Sequence, residues 1–217
     1  MRVRITAQRH SIQGSGAMLG VPQYFVRFAG CSVLDCGIRA NCDEAKSLNP
    51  KAGSERTVEE VVENALKAVG PGGWIHITGG EPTDQAEGLA SLVRRATEAR
   101  LKIHLQTAGL VSLDPLLFDW VTVSPKRSIA SLAQKTGKEL LMVFDGQPTE
   151  ELYEYERDTE FEFYYLQPKW VGWEPLYEGI WGNCNTQDTI TALRDLNGPL
   201  DGPWRLTLQA HKYWEIY

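Results

Sequence analysis

Three of the four cysteines lie close together, at Cys31, Cys36 and Cys42, and the fourth, Cys184, stands alone. Thiolates ligate both zinc and iron–sulfur clusters, so a local group of three predicts a metal ion or a cluster. The simpler alternative is that they are small buried hydrophobic side chains, because unpaired cysteine is often buried. A disulfide framework is not expected in a chain that the sequence assigns to the reducing cytoplasm.

The tetrapeptide Gly79-Gly80-Glu81-Pro82 is a second candidate for chemistry, and it follows a predicted buried strand over 74–78. Two glycines let backbone groups approach a ligand closely. The Glu81 carboxylate can accept hydrogen bonds from an ammonium group, and Pro82 fixes the turn. An ordinary turn is the alternative. The position of this turn downstream of three clustered cysteines favours a ligand-binding role.

Polar residues also follow the other predicted strands. They are Thr107 after 102–106, Ser124 and Lys126 after 120–123, Gln167 after 161–166, and Gln209 and His211 at the strand over 204–209. In parallel α/β sheets and barrels, ligands bind at the carboxyl ends of the strands. These side chains are therefore expected to meet at one site.

The elements that must position these residues alternate along the chain. A helix is predicted from Thr57, which has capping-box spacing to Glu60, and others over 85–100 and 185–196. Strands are also predicted over 3–8, 24–28 and 139–143, with intervals around 120–123 that a helix could fill. The acid-rich run 150–162 is expected to be a solvated surface. This alternation predicts parallel βα units in one α/β domain over residues 1–217.

Composition narrows the classes of function. The chain has 217 residues, with 22 Lys and Arg against 28 Asp and Glu, and a net charge of −6. A nucleic-acid-binding surface usually needs a basic excess, so nucleic acid is not expected as a partner. The sequence shows no apolar run of membrane-spanning length and no apolar leader after Met1. Hence no membrane partner is expected, and a cytoplasmic protein is predicted.

In their order along the chain, these motifs resemble the radical S-adenosylmethionine (SAM) enzymes, in which three cysteines hold a [4Fe–4S] cluster and a Gly-Gly-Glu-Pro turn binds SAM. The resemblance narrows to the 7-carboxy-7-deazaguanine synthases through seven segments: Ser11–Gly14, Phe25–Cys31, Cys42-Asp43, Thr78–Pro82, Val123–Lys126, Leu166–Pro168 and Leu208–Lys212. These segments span nearly the whole chain, and the closing Leu-Gln-x-His-Lys is the most specific. The resemblance implies a shortened TIM-like barrel of parallel strands, and a homodimer.

The reaction implied by this resemblance is a ring contraction. It converts 6-carboxy-5,6,7,8-tetrahydropterin to 7-carboxy-7-deazaguanine with loss of ammonia, in 7-deazapurine biosynthesis of the queuosine type. In the family the cluster reduces SAM, the 5′-deoxyadenosyl radical takes a hydrogen from pterin C6, and SAM is regenerated. The protein positions and shields this chemistry. The resemblance also implies Mg²⁺ and an electron donor such as flavodoxin or ferredoxin.

Site residues can be transferred from the family motifs one by one. The cluster ligands would be Cys31, Cys36 and Cys42, with Cys184 outside the site. The SAM residues would be Gly79, Gly80, Glu81, Thr107, Ser124, Lys126 and Gln167. The substrate residues would be Ile12, Gln13, Ser15, Arg27, His211 and Tyr217. Arg27 would pair with the substrate carboxylate through its planar fork, and Gln13 would bind the pterin edge.

Three features depart from the family pattern. The cysteines are spaced Cys-x4-Cys-x5-Cys, in place of the usual Cys-x3-Cys-x2-Cys. Ser15 stands where the family has Glu. Glu44 stands where the family has a Thr beside Mg²⁺, and because a carboxylate is a better ligand for a hard cation than a hydroxyl, Glu44 is expected to hold Mg²⁺.

Two other functions stay open. A radical SAM activase would form a glycyl radical on a partner protein, whereas Arg27 and His211 favour a small carboxylated substrate. A zinc-binding interaction module would normally need four ligands, and only three thiols are local. The metal content of anaerobically purified protein separates the zinc module from the radical SAM enzymes.

Overall fold

The computed structural model describes residues 1–217 except 38, 40–41, 171–173, 178–179, 183–184, 199–201 and 217, together with the backbone alone of 174–177 and 180–182. Cys184 and Tyr217 therefore lie outside the described residues.

A nine-stranded sheet forms the centre of the fold. Its strands are β1 (Arg2–Ile12), β2 (Pro22–Phe28), β3 (Ser54–Thr57), β4 (Trp74–Gly79), β5 (Lys102–Thr107), β6 (Trp120–Val123), β7 (Thr136–Phe144), β8 (Glu160–Pro168) and β11 (Trp204–Leu206). Their order is β11-β8-β7-β6-β5-β4-β2-β1-β3, and β9 (Glu174–Tyr177) pairs separately with β10 (Ile180–Gly182). Seven neighbouring strands run parallel to one another: β2, β4, β5, β6, β7, β8 and β11. The predicted partial, TIM-like barrel of parallel strands is confirmed.

Five helices accompany the sheet in the described part of the chain: α1 (Val58–Val69), α2 (Ala86–Glu98), α3 (Thr149–Asp158), α4 (Thr186–Asn197) and α5 (Ala210–Tyr213). Apolar residues of α1 and α2 share one buried core with β1, β2, β4 and β5. A second core joins α3 and α4 to the β6–β8 half of the sheet and to Trp204. The two cores pack the helices against the sheet, and the ends of the parallel strands form the candidate site.

Helix α1 shows why the local sequence predicts an element well. Thr57 Oγ1 accepts a hydrogen bond from the Glu60 backbone N–H, and the Glu60 carboxylate accepts one from the Thr57 N–H. This reciprocal pair satisfies two N–H groups that a helix start would otherwise leave unpaired. Val58, Val61 and Val62 are buried on the sheet side, so the predicted capping box and apolar face are both confirmed.

Several sequence-based expectations differ from the structure. The intervals on either side of β6 hold only short 3₁₀ turns, Pro115–Leu117 and Ile129–Ser131, because they lack a run of apolar residues at helical spacing. β1 is antiparallel to β2, and β3 is antiparallel to β1. The last strand ends at Leu206. The acid-rich run forms α3, whose Leu152 and Tyr155 are fully buried, so only one face of it is solvated.

In the part of the chain that the structure describes, no helix has both the length and the apolar composition needed to cross a membrane.

Candidate active site

A cavity of about 290 Å³ opens at the carboxyl ends of the parallel strands. Of the predicted cluster, SAM and magnesium residues, those that line it are Cys31, Cys36, Cys42, Glu44, Gly79, Gly80, Thr107, Ser124, Lys126 and Gln167. The predicted substrate residues that line it are Ile12, Gln13, Ser15, Arg27 and His211. Glu81 lies behind the wall, and Tyr217 is outside the described residues. The fold thus gathers residues from distant segments, while their individual roles stay predictions.

The three thiols line this cavity as unpaired, partly exposed cysteines. Burial raises the pKa of Cys31 and of Cys42, which favours the protonated thiol until a metal removes the proton. Three thiols around one cavity match the donor set of a cluster that leaves one iron open. Within the described ranges no three His, Cys, Asp or Glu side chains converge closely enough to ligate one metal ion.

The cysteine loop is the segment between β2 and β3 that bears Cys31, Cys36 and Cys42. Its start is hydrogen-bonded to the turn after β4. The Ser32 N–H and hydroxyl both donate to the Asp84 carboxylate, each at 2.7 Å. The Glu81 N–H donates to the Gly30 carbonyl at 2.8 Å. A Cβ on Gly80 would lie 1.9 Å from that same carbonyl oxygen, so only glycine fits there. The glycine therefore permits the close approach of the cysteine loop and the turn.

Glu81 organises the strand ends from behind the cavity wall. Its side chain is buried, and Oε1 accepts hydrogen bonds from the Thr83 N–H at 3.2 Å, the Thr83 hydroxyl at 2.8 Å and the Thr107 hydroxyl at 2.7 Å. Oε2 accepts from the Ala108 N–H at 2.7 Å. These bonds join the turn after β4 to the end of β5 and position Thr107 in the cavity lining.

Lys126 supplies a partly buried cation beside the thiols. Its Nζ donates to Ser124 Oγ at 2.6 Å. Burial lowers the pKa of Lys126, and the thiol groups of Cys36 and Cys42 oppose that shift because a thiolate would stabilise the ammonium form. A cation held here complements anionic ligands in the cavity.

Arg27 projects from β2 and forms an ion pair with Glu44 of the cysteine loop, with Nη1 2.9 Å from Oε1. The side chains are 19% and 33% exposed, so the pair is only partly screened by water. Burial lowers the pKa of Arg27, and Glu44 opposes that shift. The predicted carboxylate binder and the predicted Mg²⁺ ligand therefore neutralise each other in this structure.

The closing Leu-Gln-x-His-Lys motif has two faces. Gln209 Nε2 and Lys212 Nζ donate to the two carboxylate oxygens of Asp43, each at 2.6 Å. His211 instead lines the cavity, and burial lowers its pKa to about 4, so the imidazole is neutral near pH 7. The Ala210 N–H donates to the Gly14 carbonyl at 2.8 Å, which joins α5 to the turn after β1.

The cavity also includes polar residues that sequence reasoning did not assign. They include Arg9, Arg39, Asp43, His76, Gln106, Lys169 and Lys212. Asp43 and Lys212 stand inside motifs that were recognised, so their position was the available signal. Arg9 and His76 lie within strands, and only the pairing of those strands reveals which face they occupy.

Comparison with known proteins gives the family. No family model matches the chain. A Bacteroides thetaiotaomicron protein named 7-carboxy-7-deazaguanine synthase is 31% identical over 208 residues, which cover 95% of this chain and 94% of that protein. A Synechocystis protein of the same name is 30% identical over 208 residues, which cover 94% of this chain and 88% of that protein. This chain belongs to the 7-carboxy-7-deazaguanine synthase family.

One solved structure has the same fold. The crystal structure of QueE from Escherichia coli matches with a TM-score of 0.65 at 20% identity, covering 97% of this chain and 95% of that chain. At this identity the match shows the fold alone. The sequence-based prediction of the 7-carboxy-7-deazaguanine synthase family is confirmed by the two curated relatives.

Two of the departures from the 7-carboxy-7-deazaguanine synthase pattern can now be placed. Ser15 is buried in a turn whose Gly16 N–H donates to Thr207 Oγ1 and whose Ala17 N–H donates to the Glu139 carboxylate, both at 2.8 Å. The turn is thus held by a buried acid on β7. The Glu44 carboxylate is engaged by Arg27.

Proposed function

We propose that this chain converts 6-carboxy-5,6,7,8-tetrahydropterin to 7-carboxy-7-deazaguanine and ammonia, as a single domain over residues 1–217. The observation that carries the proposal is the common cavity of the three thiols, the Gly79-Gly80 turn and Arg27. Relatives named for this product, matched over nearly their whole lengths, support the same conclusion. The substrate and product differ by one NH₃, so the conversion itself balances without a further reactant.

The cofactors in this proposal are a [4Fe–4S] cluster and SAM. Cys31, Cys36 and Cys42 would hold three irons and leave the fourth for SAM. When bound, the pair supplies the one-electron chemistry that starts the rearrangement. The family name supports this set, and so does the donor chemistry of three unpaired thiols in one cavity. The chain's own task is to bind, orient and shield the reacting molecules.

SAM would lie against the ends of the central strands. The backbone of Gly79 and Gly80 would meet its amino group, and Thr107, Ser124, Lys126 and Gln167 would contact the rest. Glu81 would act there through Thr107, since its carboxylate already accepts four hydrogen bonds from the protein. This role as a positioning residue refines the direct SAM contact expected from sequence.

The substrate would lie between Arg27 and the C-terminal segment. Arg27 offers a planar fork to the substrate carboxylate. That carboxylate would have to displace Glu44 or share Arg27 with it. Neutral His211 offers one donor and one acceptor nitrogen. Gln13 accepts the Gly14 N–H at 2.8 Å through Oε1, which orients its amide for the pterin edge.

The described residues of the loop after Cys42 do not form a magnesium site. The two carboxylates of the loop after Cys42 are both engaged, Asp43 by Gln209 and Lys212 and Glu44 by Arg27. Hard cations prefer several oxygen ligands, and the described residues do not offer such a set at this position. The homodimer and an electron donor such as flavodoxin or ferredoxin rest on the family resemblance.

The test is anaerobic purification and cluster reconstitution, followed by incubation with the carboxypterin, SAM and dithionite. We expect a brown protein that forms 7-carboxy-7-deazaguanine and ammonia in equal amounts. The amount of SAM consumed should not increase in proportion to the amount of product. Omission of the carboxypterin is the control for uncoupled SAM cleavage. A colourless protein with one zinc would instead support an interaction module. SAM cleavage without conversion of the carboxypterin would leave the activase alternative.

A further inference from the structure

Two histidines on neighbouring strands stack on each other, before the strand ends that form the candidate active site. His76 on β4 and His104 on β5 are register partners, with ring centroids 3.9 Å apart and an interplanar angle of 11°. Both are fully buried. Phe25 of β2 packs on His76 with a centroid distance of 4.6 Å. The three strands thus place a row of rings at one level of the sheet.

The two histidines differ in their hydrogen bonding. His104 uses both nitrogens, with Nδ1 3.1 Å from Gln23 Oε1 and Nε2 2.8 Å from Thr122 Oγ1. His76 has no hydrogen-bond partner at either nitrogen among the residues that the structure describes. The Gln106 amide favours the protonated form of His76 slightly but does not reach hydrogen-bond geometry. Buried polar atoms are almost always paired, so two unpaired atoms in one side chain require an explanation.

The protonation state of His76 defines what it can bind. Burial, assisted by the neighbouring His104 and Arg27, lowers the pKa of His76 well below its ordinary value of 6.5. The ring is therefore neutral at physiological pH and presents one N–H donor and one acceptor nitrogen. A partner must offer an acceptor to the N–H or a donor to the other nitrogen.

The location of His76 indicates that the partner is a ligand. His76 lines the cavity of the candidate active site, whereas His104 does not. Arg27 lies two residues beyond Phe25 on the same face of β2 and lines the same cavity. A molecule whose carboxylate meets Arg27 therefore has its ring within the region bordered by His76.

We propose that His76 is a substrate-binding residue, and that one of its ring nitrogens hydrogen bonds to the nitrogen heterocycle of the bound carboxypterin. This inference rests on the proposed function, which supplies the identity of the substrate. SAM also has such a heterocycle in its adenine. The SAM amino group is assigned to Gly79 and Gly80, farther along the strand of His76. His76 pairs with Phe25 on β2, the strand of Arg27, whereas Ser124 and Lys126 follow β6, two strands away from β4, and this position favours the pterin over adenine.

The test compares His76→Phe with a matched control, His104→Phe. The first change keeps the stacked ring and removes both unpaired nitrogens, so the melting temperature should stay the same or rise. The Kd for carboxypterin should rise about tenfold to a hundredfold, because a polar group of the ligand is left without its buried hydrogen-bond partner. The Kd for SAM should not change. The control removes the hydrogen bonds of His104 to Gln23 and Thr122, so it should lower the melting temperature and leave the carboxypterin Kd within threefold.

Two further measurements keep the result decisive. His76→Gln retains one donor and one acceptor, and it should recover most of the lost affinity. In the parent protein, carboxypterin should shift the ring ¹⁵N resonances of His76 and leave those of His104 in place. Both are measured on the cluster-loaded chain, by calorimetry and by NMR, and neither depends on turnover.

Each contrary outcome has its own meaning. An unchanged carboxypterin Kd in His76→Phe, with the parent still converting the substrate, overturns this inference alone. A loss of SAM affinity with carboxypterin affinity intact also overturns it, because the ring would then meet adenine. If the parent neither binds nor converts carboxypterin, the proposed function fails and the assignment of His76 fails with it.

Discussion

Arg27 Nη1 lies 2.9 Å from Glu44 Oε1, so the arginine assigned to the substrate carboxylate is already paired with a carboxylate of the chain. The pair joins β2 to the loop that bears the cysteines. A substrate carboxylate that binds Arg27 must share it with Glu44 or displace Glu44. Substrate affinity at this site is thus the difference between two ion pairs.

Glu44→Gln should therefore lower the KM for carboxypterin about twofold to fivefold, because the competing charge is removed and a partly exposed ion pair contributes about 0.2–1 kcal/mol. The value of kcat and the iron content should stay the same. Steady-state kinetics at a series of Mg²⁺ concentrations checks this, with Arg27→Lys as the control that raises KM through loss of the bidentate fork. The sequence-based assignment of Mg²⁺ to Glu44 predicts a different result, a higher Mg²⁺ requirement in Glu44→Gln.

The thiols at Cys31, Cys36 and Cys42 should be individually required for the cluster. Replacing any one with alanine removes one of three protein ligands, so iron content and turnover should fall to background. Cys184→Ala is the matched control and should retain both. Iron and sulfide analysis after reconstitution checks this, and a full iron complement in any of the first three variants would contradict the ligand assignment.

Glu81→Ala should destabilise the fold as well as weaken SAM binding. It leaves the buried Ala108 N–H and the Thr107 hydroxyl without their acceptor, which should cost about 3 kcal/mol or more in the free energy of unfolding. Urea unfolding and SAM calorimetry measure the two effects. Thr83→Val removes only one of the bonds and is the milder control. Normal stability combined with lost SAM affinity would show a direct contact in place of a positioning role.

Sequence reasoning succeeded where residues of one motif act together locally. The thiols and the turn at Gly79-Gly80 each lie within a short segment of the sequence, and each borders the cavity. The capping box at Thr57 likewise depends only on neighbouring residues. Such signals need no knowledge of how distant strands pair.

The remaining features depend on contacts between segments that are far apart in sequence. The Arg27–Glu44 pair and the Glu81–Ala108 bond arise only once β2, β4 and β5 are neighbours. β3 consists of Ser54–Thr57, which are polar or exposed, so its sequence lacks the alternation of a strand, and its pairing with β1 defines it. Local pattern does not encode these partners.

The buried His104 should make the fold sensitive to acid. Burial lowers its folded-state pKa to about 3, whereas the unfolded chain takes up the proton near 6.5. Because the folded value is the lower one, this contribution to stability is complete above pH 6.5 and is lost as the pH falls towards 3. Between pH 7 and pH 5 the loss should be about 2 kcal/mol. His104→Gln should flatten the stability profile by that amount in urea unfolding, and parallel profiles would contradict the assignment.

The Asp43 carboxylate should couple the cysteine loop to the C-terminal segment. It accepts hydrogen bonds from Gln209 and Lys212 at 2.6 Å each, and His211 stands between them in sequence. Asp43→Ala should thus raise the KM for carboxypterin, because the segment that carries His211 loses its attachment to the loop. The cluster should remain, because its assigned ligands are the three thiols and not Asp43. With side chains 37% and 14% exposed, the Asp43–Lys212 pair should contribute modestly. A double-mutant cycle of Asp43→Ala and Lys212→Met in urea unfolding should give a coupling of about 0.5–1 kcal/mol. Strictly additive losses would show that Asp43 and Lys212 act independently, and any coupling of the cysteine loop to the C-terminal segment would then pass through the Asp43–Gln209 hydrogen bond.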